Sequence, residues 1–162
     1  FILENKNIAG TITPQHMLIT KKDVFDKDII NPHNYCMPVA KNEEDLVALR
    51  KSACSGNEKF FLGTDSAPHL VKDKNNETPK PGIFSSPCSI ELYAEIFEQE
   101  NSLDNLESFT SINGPHFYNL PINKKKIKLI KEKWLLNDYT EENGIKIKNF
   151  FGGKELNWKV LQ

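Results

Sequence analysis

No apolar run in these 162 residues approaches the ~20 that a membrane-spanning helix requires, and a mean hydropathy of -0.51 agrees. Excess charge of either sign is also missing, because 21 Lys plus Arg stand against 22 Asp plus Glu, for a formal net charge of -1. That balance removes any general attraction to a phosphate backbone or an anionic lipid surface, which argues against nucleic-acid and membrane partners. Cysteine is scarce. Cys36, Cys54 and Cys88 are an odd number without C-x-x-C spacing, which speaks against a disulfide framework and for a reducing compartment, the cytoplasm by default. The sequence opens Phe-Ile-Leu-Glu-Asn-Lys-Asn, with no initiator Met and no basic stretch followed by an apolar one. No signal peptide is visible, and a longer N-terminus upstream is expected. Internal repeats, a glycine-rich phosphate loop, a Gly-x-Ser-x-Gly elbow and a paired His-x-His are all absent.

What is present suffices for one domain, since a chain of about 150 residues buries roughly 70% of its unfolded surface. Ile8 to Thr13 is β-branched and rich in small residues, so it reads as a short buried strand stopped by Pro14, with Gln15 and His16 just beyond its end. Asp23 to Pro38, with Asp28, Pro32 and Pro38, has no sustained period and reads as a long structured loop. Asn42 caps a helix from Glu43 to about Ala53, whose Leu46, Leu49 and Ala53 form an apolar stripe, and Gly56 ends it. Lys59 to Gly63 is then a strand of the kind buried on both faces in a parallel sheet. Strand, loop, helix and strand make a βαβ unit. The Lys-, Asn- and Pro-rich stretch from Leu70 to Pro87 reads as a second long loop. Ser89 caps a helix over Ile90 to Glu98, and a further helix from Leu103 to Ile112 ends at Asn113-Gly114-Pro115. Lys124 to Leu136 and Ile145 to Phe151 alternate with a two-residue period and read as exposed strands. Lys124-Lys125-Lys126 is best read as a solvated strand face, because Asp138, Glu141 and Glu142 follow closely.

The densest group of chemically capable residues is Phe61-Leu62-Gly63-Thr64-Asp65-Ser66-Ala67-Pro68-His69. In parallel α/β folds ligands bind beyond the carboxyl ends of strands, which is where Asp65 falls. A carboxylate there can hold a metal with one oxygen and take a proton from water with the other, while His69 can bind an anionic group or a second metal. The structural alternative is that Asp65 caps a turn and His69 merely packs. His33-Asn34-Tyr35-Cys36 has ligand-like spacing but no second Cys or His pair to close a zinc site, so Cys36 reads as a buried thiol. His16 reads as a packed, hydrogen-bonding residue near the same mouth, and His116 as one that opens a helical segment, caps and packs.

Phe-Leu-Gly-Thr-Asp-Ser-Ala-Pro-His resembles the end of the eighth strand in dihydroorotases of the shorter bacterial type, members of the amidohydrolase superfamily. The resemblance continues in order through Thr11 to His16, Asn31-Pro32-His33, Tyr35 to Pro38, Gly82-Ile83-Phe84 with Pro87, Ser111 to Pro115, and Phe117-Tyr118. It implies an α/β fold, the C-terminal part of a (β/α)8 TIM barrel, with residues 1–122 supplying the last strands, loops and helices and 123–162 an extension packed on them. It implies two zinc ions and reversible hydrolysis of the cyclic amide of dihydroorotate to N-carbamoyl-aspartate in pyrimidine biosynthesis. On this resemblance Asp65 would ligate one zinc and act as general base, and His69 would pair with the substrate carboxylate. Backbone groups at Met37 would contact the pyrimidine ring, and those at Pro81 and Gly82 would complete the carboxylate pocket. Met37 stands where such enzymes are expected to have Leu, and Pro81 where they are expected to have Ala. Pro81 offers no N–H, which leaves Gly82 as the safer contact.

The family's His-x-His, bridging carboxylated lysine and two further histidine ligands have no counterpart here and are expected upstream of Phe1. The N-terminal part of the same enzyme is therefore an implied partner, alongside a second copy in a homodimer. Two other functions compete: a non-catalytic dihydroorotase-like assembly partner, and another cyclic amidohydrolase such as a hydantoinase or allantoinase. A strand-end carboxylate beside an anion-binding histidine disfavours the first, and the surroundings of Met37 and Gly82 disfavour the second.

Overall fold

Pro14 has no N–H to give a ladder, so the β-branched segment is strand only over Gly10–Ile12 (β1) before a 3-10 turn at Gln15–Met17. The computed structural model describes residues 1–27 and 29–161, so Asp28 lies outside the described residues. The loop expected over 23–38 is more ordered than its composition suggests. A helical turn at Lys21–Val24 (α1) leads into a two-residue hairpin, Phe25–Asp26 (β2) with Ile29–Ile30 (β3), and irregular backbone follows. Pieces this short are fixed by tertiary contacts, which is why no period marks them in the sequence.

Glu43–Cys54 (α2) has Asn42 at its N-cap, where the Asp45 carboxylate accepts the Asn42 N–H at 3.2 Å. Gly56, at a φ of 74°, releases the chain in the left-handed conformation. The chain then enters Phe60–Leu62 (β4), which pairs in parallel with β1 in the register Gly10–Phe60, Thr11–Phe61, Ile12–Leu62. The βαβ unit is therefore present as a two-stranded parallel sheet, and among the described residues there is no closed barrel.

The Leu70 to Pro87 stretch is irregular except for one turn at Val71–Lys74 (α3). Ser89–Gln99 (α4) follows, with Cys88 rather than Ser89 at its cap. Ser89 is a residue inside the helix, because its hydroxyl donates back to the Ser85 carbonyl at 2.8 Å. The helix expected over 103–112 is instead a 3-10 turn at Leu103–Asn105 and a π-helical turn at Ser108–Ile112. It does not stop at Asn113-Gly114-Pro115, for Asn113–Phe117 (α5) follows the π-helical turn directly and has Pro115 within it. His116 consequently ends that helix, exposed, and does not open it.

Lys128–Leu135 (β5), Tyr139–Glu142 (β6), Ile145–Lys148 (β7) and Glu155–Leu161 (β8) complete the chain. The two basic alternating segments are strands, but not partners: β5 pairs antiparallel with β8, and β6 with β7. Lys124 to Lys126 precede β5 as exposed irregular backbone, with Lys126 paired to Glu107.

Two apolar cores meet at α4. Tyr93, Ile96 and Phe97 pack with Ile12, Met17 and Phe109, while Leu92 packs with Ile83, Cys88, Leu136, Phe150 and Leu156. The Tyr93 hydroxyl donates to the Ile12 carbonyl at 2.7 Å, which fixes β1 against the helix. Burial holds all three thiols protonated, with Cys54 pushed up to about 11 and Cys88 to about 12. No helix among the described residues is long and apolar enough to cross a membrane.

Candidate active site

Beyond Leu62 the chain turns sharply, and Asp65 adopts a φ of 45°, a left-handed conformation that side-chain-bearing residues other than Asn and Asp seldom take. Asp65 is exposed, and among the described residues it enters no ion pair. It lines a cleft of about 610 Å³ together with Thr13, His16, Met37, Pro38 and Lys41. The cleft opens at the carboxyl ends of the parallel strands. Asp65 also reaches Cys36 electrostatically: burial is the larger cause of the raised Cys36 pKa, and the Asp65 charge is the next.

The segment after Asp65 is stitched to the second loop. Ser66 and Ile83 form a parallel bridge, the Ala67 N–H donates to the Ile83 carbonyl at 2.9 Å, and the Ser66 hydroxyl accepts the N–H groups of Ser85 and Ser86 at 3.1 and 3.0 Å. This pairing lays Pro81 and Gly82 beside His69. The His69 Nε2–H donates to the Pro81 carbonyl at 3.0 Å, and among the described residues Nδ1 has no hydrogen-bond partner. Gly82 has a φ of 149° and is packed so closely that a Cβ there would stand 2.8 Å from both the Ala67 carbonyl oxygen and His69 Cδ2. No other residue fits. The Gly82 N–H donates to the Tyr35 carbonyl at 2.9 Å, so this donor is already used within the protein.

Met37 precedes Pro38 through a cis peptide bond and is exposed at the cleft. Its loop is held from below by His16, whose Nε2–H donates to the Pro38 carbonyl at 2.7 Å while Nδ1 accepts the Thr13 hydroxyl at 2.6 Å. With both ring nitrogens occupied by hydrogen bonds, His16 is a packed histidine. His33 is half-buried and its pKa is lowered, first by burial and then by the charges of Lys74 and Lys148. The structure thus places Asp65 and Met37 on one cleft, and gathers His69, Pro81 and Gly82 into a cluster joined to it through Ser66 and Tyr35.

Sequence reasoning missed two contributors. Gln15, fully buried, donates Nε2–H to the Thr64 carbonyl at 3.1 Å beneath the Asp65 turn, and its Oε1 has no partner among the described residues. Lys74, 3% exposed, points its ammonium at three backbone carbonyls, those of Tyr35, Lys80 and Gly82. Nothing in its Lys- and Asn-rich surroundings distinguishes it from a solvated lysine.

A solvent-facing carboxylate without an ion-pair partner is a donor that zinc accepts. Among the described residues, however, no group of three or more His, Cys, Asp and Glu side chains is placed to hold a metal ion.

No family model matches the chain. Over 156 residues it is 47% identical to the dihydroorotase of Erythrobacter litoralis, covering 96% of this chain and 45% of that protein. Over 162 residues it is 46% identical to the dihydroorotase of Acaryochloris marina, covering 99% of this chain and 47% of that protein. The crystal structure of dihydroorotase from Saccharomyces cerevisiae in complex with 5-fluoroorotic acid aligns at a TM-score of 0.86 and 34% identity, over 99% of this chain and 44% of the other. The dihydroorotase structure from Campylobacter jejuni aligns at a TM-score of 0.88 and 33% identity, over 99% and 47%. The chain therefore spans somewhat less than half the length of the relatives it matches.

Proposed function

We propose that this chain, which is similar over nearly its whole length to one portion of the dihydroorotases, is the C-terminal part of such an enzyme. With an N-terminal part supplying the remaining strands, it closes a (β/α)8 barrel and hydrolyses the cyclic amide of dihydroorotate, reversibly, to N-carbamoyl-aspartate in pyrimidine biosynthesis. Residues 1–122 supply the barrel's last strands and loops, and 123–162 an extension against them. The observation that carries this reading is Asp65: an exposed carboxylate, without an ion-pair partner among the described residues, in a left-handed turn at the carboxyl end of a parallel strand, on the cleft that Met37 also lines. The enzyme works in the cytoplasm as a homodimer, with neither nucleic acid nor membrane as partner.

The residues divide the chemistry among them. Asp65 accepts a proton from the attacking water as the ring carbonyl is hydrolysed, and returns it to the departing amide nitrogen. His69, steadied through Nε2 by the Pro81 carbonyl, pairs with the substrate carboxylate. Backbone groups at Met37 receive the ring, and Pro81 and Gly82 wall the carboxylate pocket. Because the Gly82 N–H is engaged by Tyr35, the contribution of Gly82 is shape: its missing side chain makes room for the His69 ring. Asp65 would hold one zinc ion, with the other ligands coming from the N-terminal part. Zinc, when bound, supplies a Lewis acid that polarises the carbonyl and acidifies the attacking water.

The test is made on the complete polypeptide that carries this sequence. Loss of dihydroorotate absorbance on hydrolysis, with bound zinc found by elemental analysis, is the expected result. Bound metal without dihydroorotate turnover would point to another cyclic amide such as a hydantoin, and absence of metal to a non-catalytic assembly partner.

A further inference from the structure

We infer that Lys74 is a positioning residue: its ammonium ties the segment carrying Met37 to the segment carrying Pro81 and Gly82, and so sets the width of the substrate pocket. The inference rests on the dihydroorotase reading and adds a residue to it. Lys74 Nζ donates to the carbonyls of Tyr35 at 3.0 Å, Lys80 at 3.0 Å and Gly82 at 2.6 Å, which uses all three of its donors. All three acceptors are backbone, and they come from two loops remote in sequence. The neighbouring acid, Asp73, is occupied by Lys80 at 3.1 Å, so among the described residues the buried cation is held by carbonyl dipoles and not by a counter-ion.

Burying an ammonium in this way is costly, and burial pulls its pKa down to about 8. A residue chosen only to fill the space would be apolar. What the lysine provides is a junction. The Tyr35 carbonyl receives both Lys74 and the Gly82 N–H, so two residues before Met37 the first loop is pinned to the second. Gly82, gripped through its carbonyl, is the residue that leaves 2.8 Å between an added Cβ and His69 Cδ2, so any shift in it is passed to the imidazole. On the far side of Met37, His16 holds the Pro38 carbonyl. Lys74 thus acts on ligand through Met37 and His69 without touching the reacting atoms, and Asp65 lies outside its hydrogen bonds.

Loss of such a residue removes binding shared by the ground state and the transition state, which appears in KM and not in kcat. In the complete polypeptide, Lys74→Met should raise KM for dihydroorotate about tenfold or more, from stranding buried acceptors, with kcat within about threefold of the parent and zinc content unchanged. Affinity for 5-fluoroorotate, measured by titration calorimetry, should fall in parallel. Lys80→Met, which removes an exposed pair in the same loop, should leave both values within about twofold. Lys74→Gln, keeping two donors, is the second variant and should shift KM in the same direction by less. A folded Lys74 variant that binds like the parent, or one that loses kcat alone, overturns the inference. So does failure of both variants to fold, which would make Lys74 a folding residue. If the parent itself does not hydrolyse dihydroorotate, the dihydroorotase reading fails; an active parent with an indifferent Lys74 contradicts only the positioning role.

Discussion

Asp65 and Lys74 stand nine residues apart and are treated in opposite ways. The carboxylate is exposed, sits in a left-handed turn and has no ion-pair partner among the described residues; the ammonium is buried, and each of its donors has an acceptor. Folding normally satisfies a polar group or leaves it in an unconstrained surface position. A group that is fixed in place yet left unpaired is held ready for something else, and a charge buried at a cost among carbonyls is there to hold the backbone. On the proposed reading, the contrast separates a residue for chemistry from one that aligns the walls around it.

The contrast can be broken most severely at the carboxylate. Asp65→Asn is nearly isosteric but cannot accept a proton, so in the complete polypeptide kcat should fall about a thousandfold with thermal stability unchanged. Near-parental turnover would remove the base assignment. His69→Ala should come next, raising KM for dihydroorotate by about 10- to 100-fold through loss of a charge-assisted hydrogen bond, while metal content measured by mass spectrometry stays at the parental level. Gly82→Ala sharpens the comparison from the lysine's side. Its φ of 149° and the 2.8 Å contacts predict a stability loss of about 1–3 kcal/mol in denaturant titrations, with weaker substrate binding because His69 must move. The smallest effect belongs to a satisfied but exposed pair. Lys131, 2.6 Å from Glu98 and 62% exposed, should change stability by less than about 0.5 kcal/mol when replaced by Met, and activity not at all.

Much of this arrangement is legible in the residues themselves. Pro14, the apolar stripe of Glu43–Cys54 and the run ending at Leu62 identify β1, α2 and β4 as a βαβ unit, and that unit alone predicts where Asp65 falls. Local rules read less well where a residue's role depends on position in an element. Pro115 reads locally as a helix terminator, yet it lies within Asn113–Phe117, which continues directly from the π-helical turn. Glu155–Leu161 carries Leu156, Trp158 and Val160 at the two-residue spacing of a strand, with Leu156 buried. Lys74 was not legible at all. A lysine among Lys, Asp and Asn is by default solvated, and its burial arises from carbonyls 39 and 8 residues away, those of Tyr35 and Gly82.

The most direct test is an experimental structure of the complete polypeptide with 5-fluoroorotate bound, in which the position of the Asp65 carboxylate is measured against the ring. The account predicts this carboxylate within about 3 Å of a metal-liganding position beside the ring carbonyl, with the ligand carboxylate at His69 Nδ1 and Lys74 still on its three carbonyls. Asp65 turned to bulk solvent, with the ligand lodged elsewhere, would contradict it.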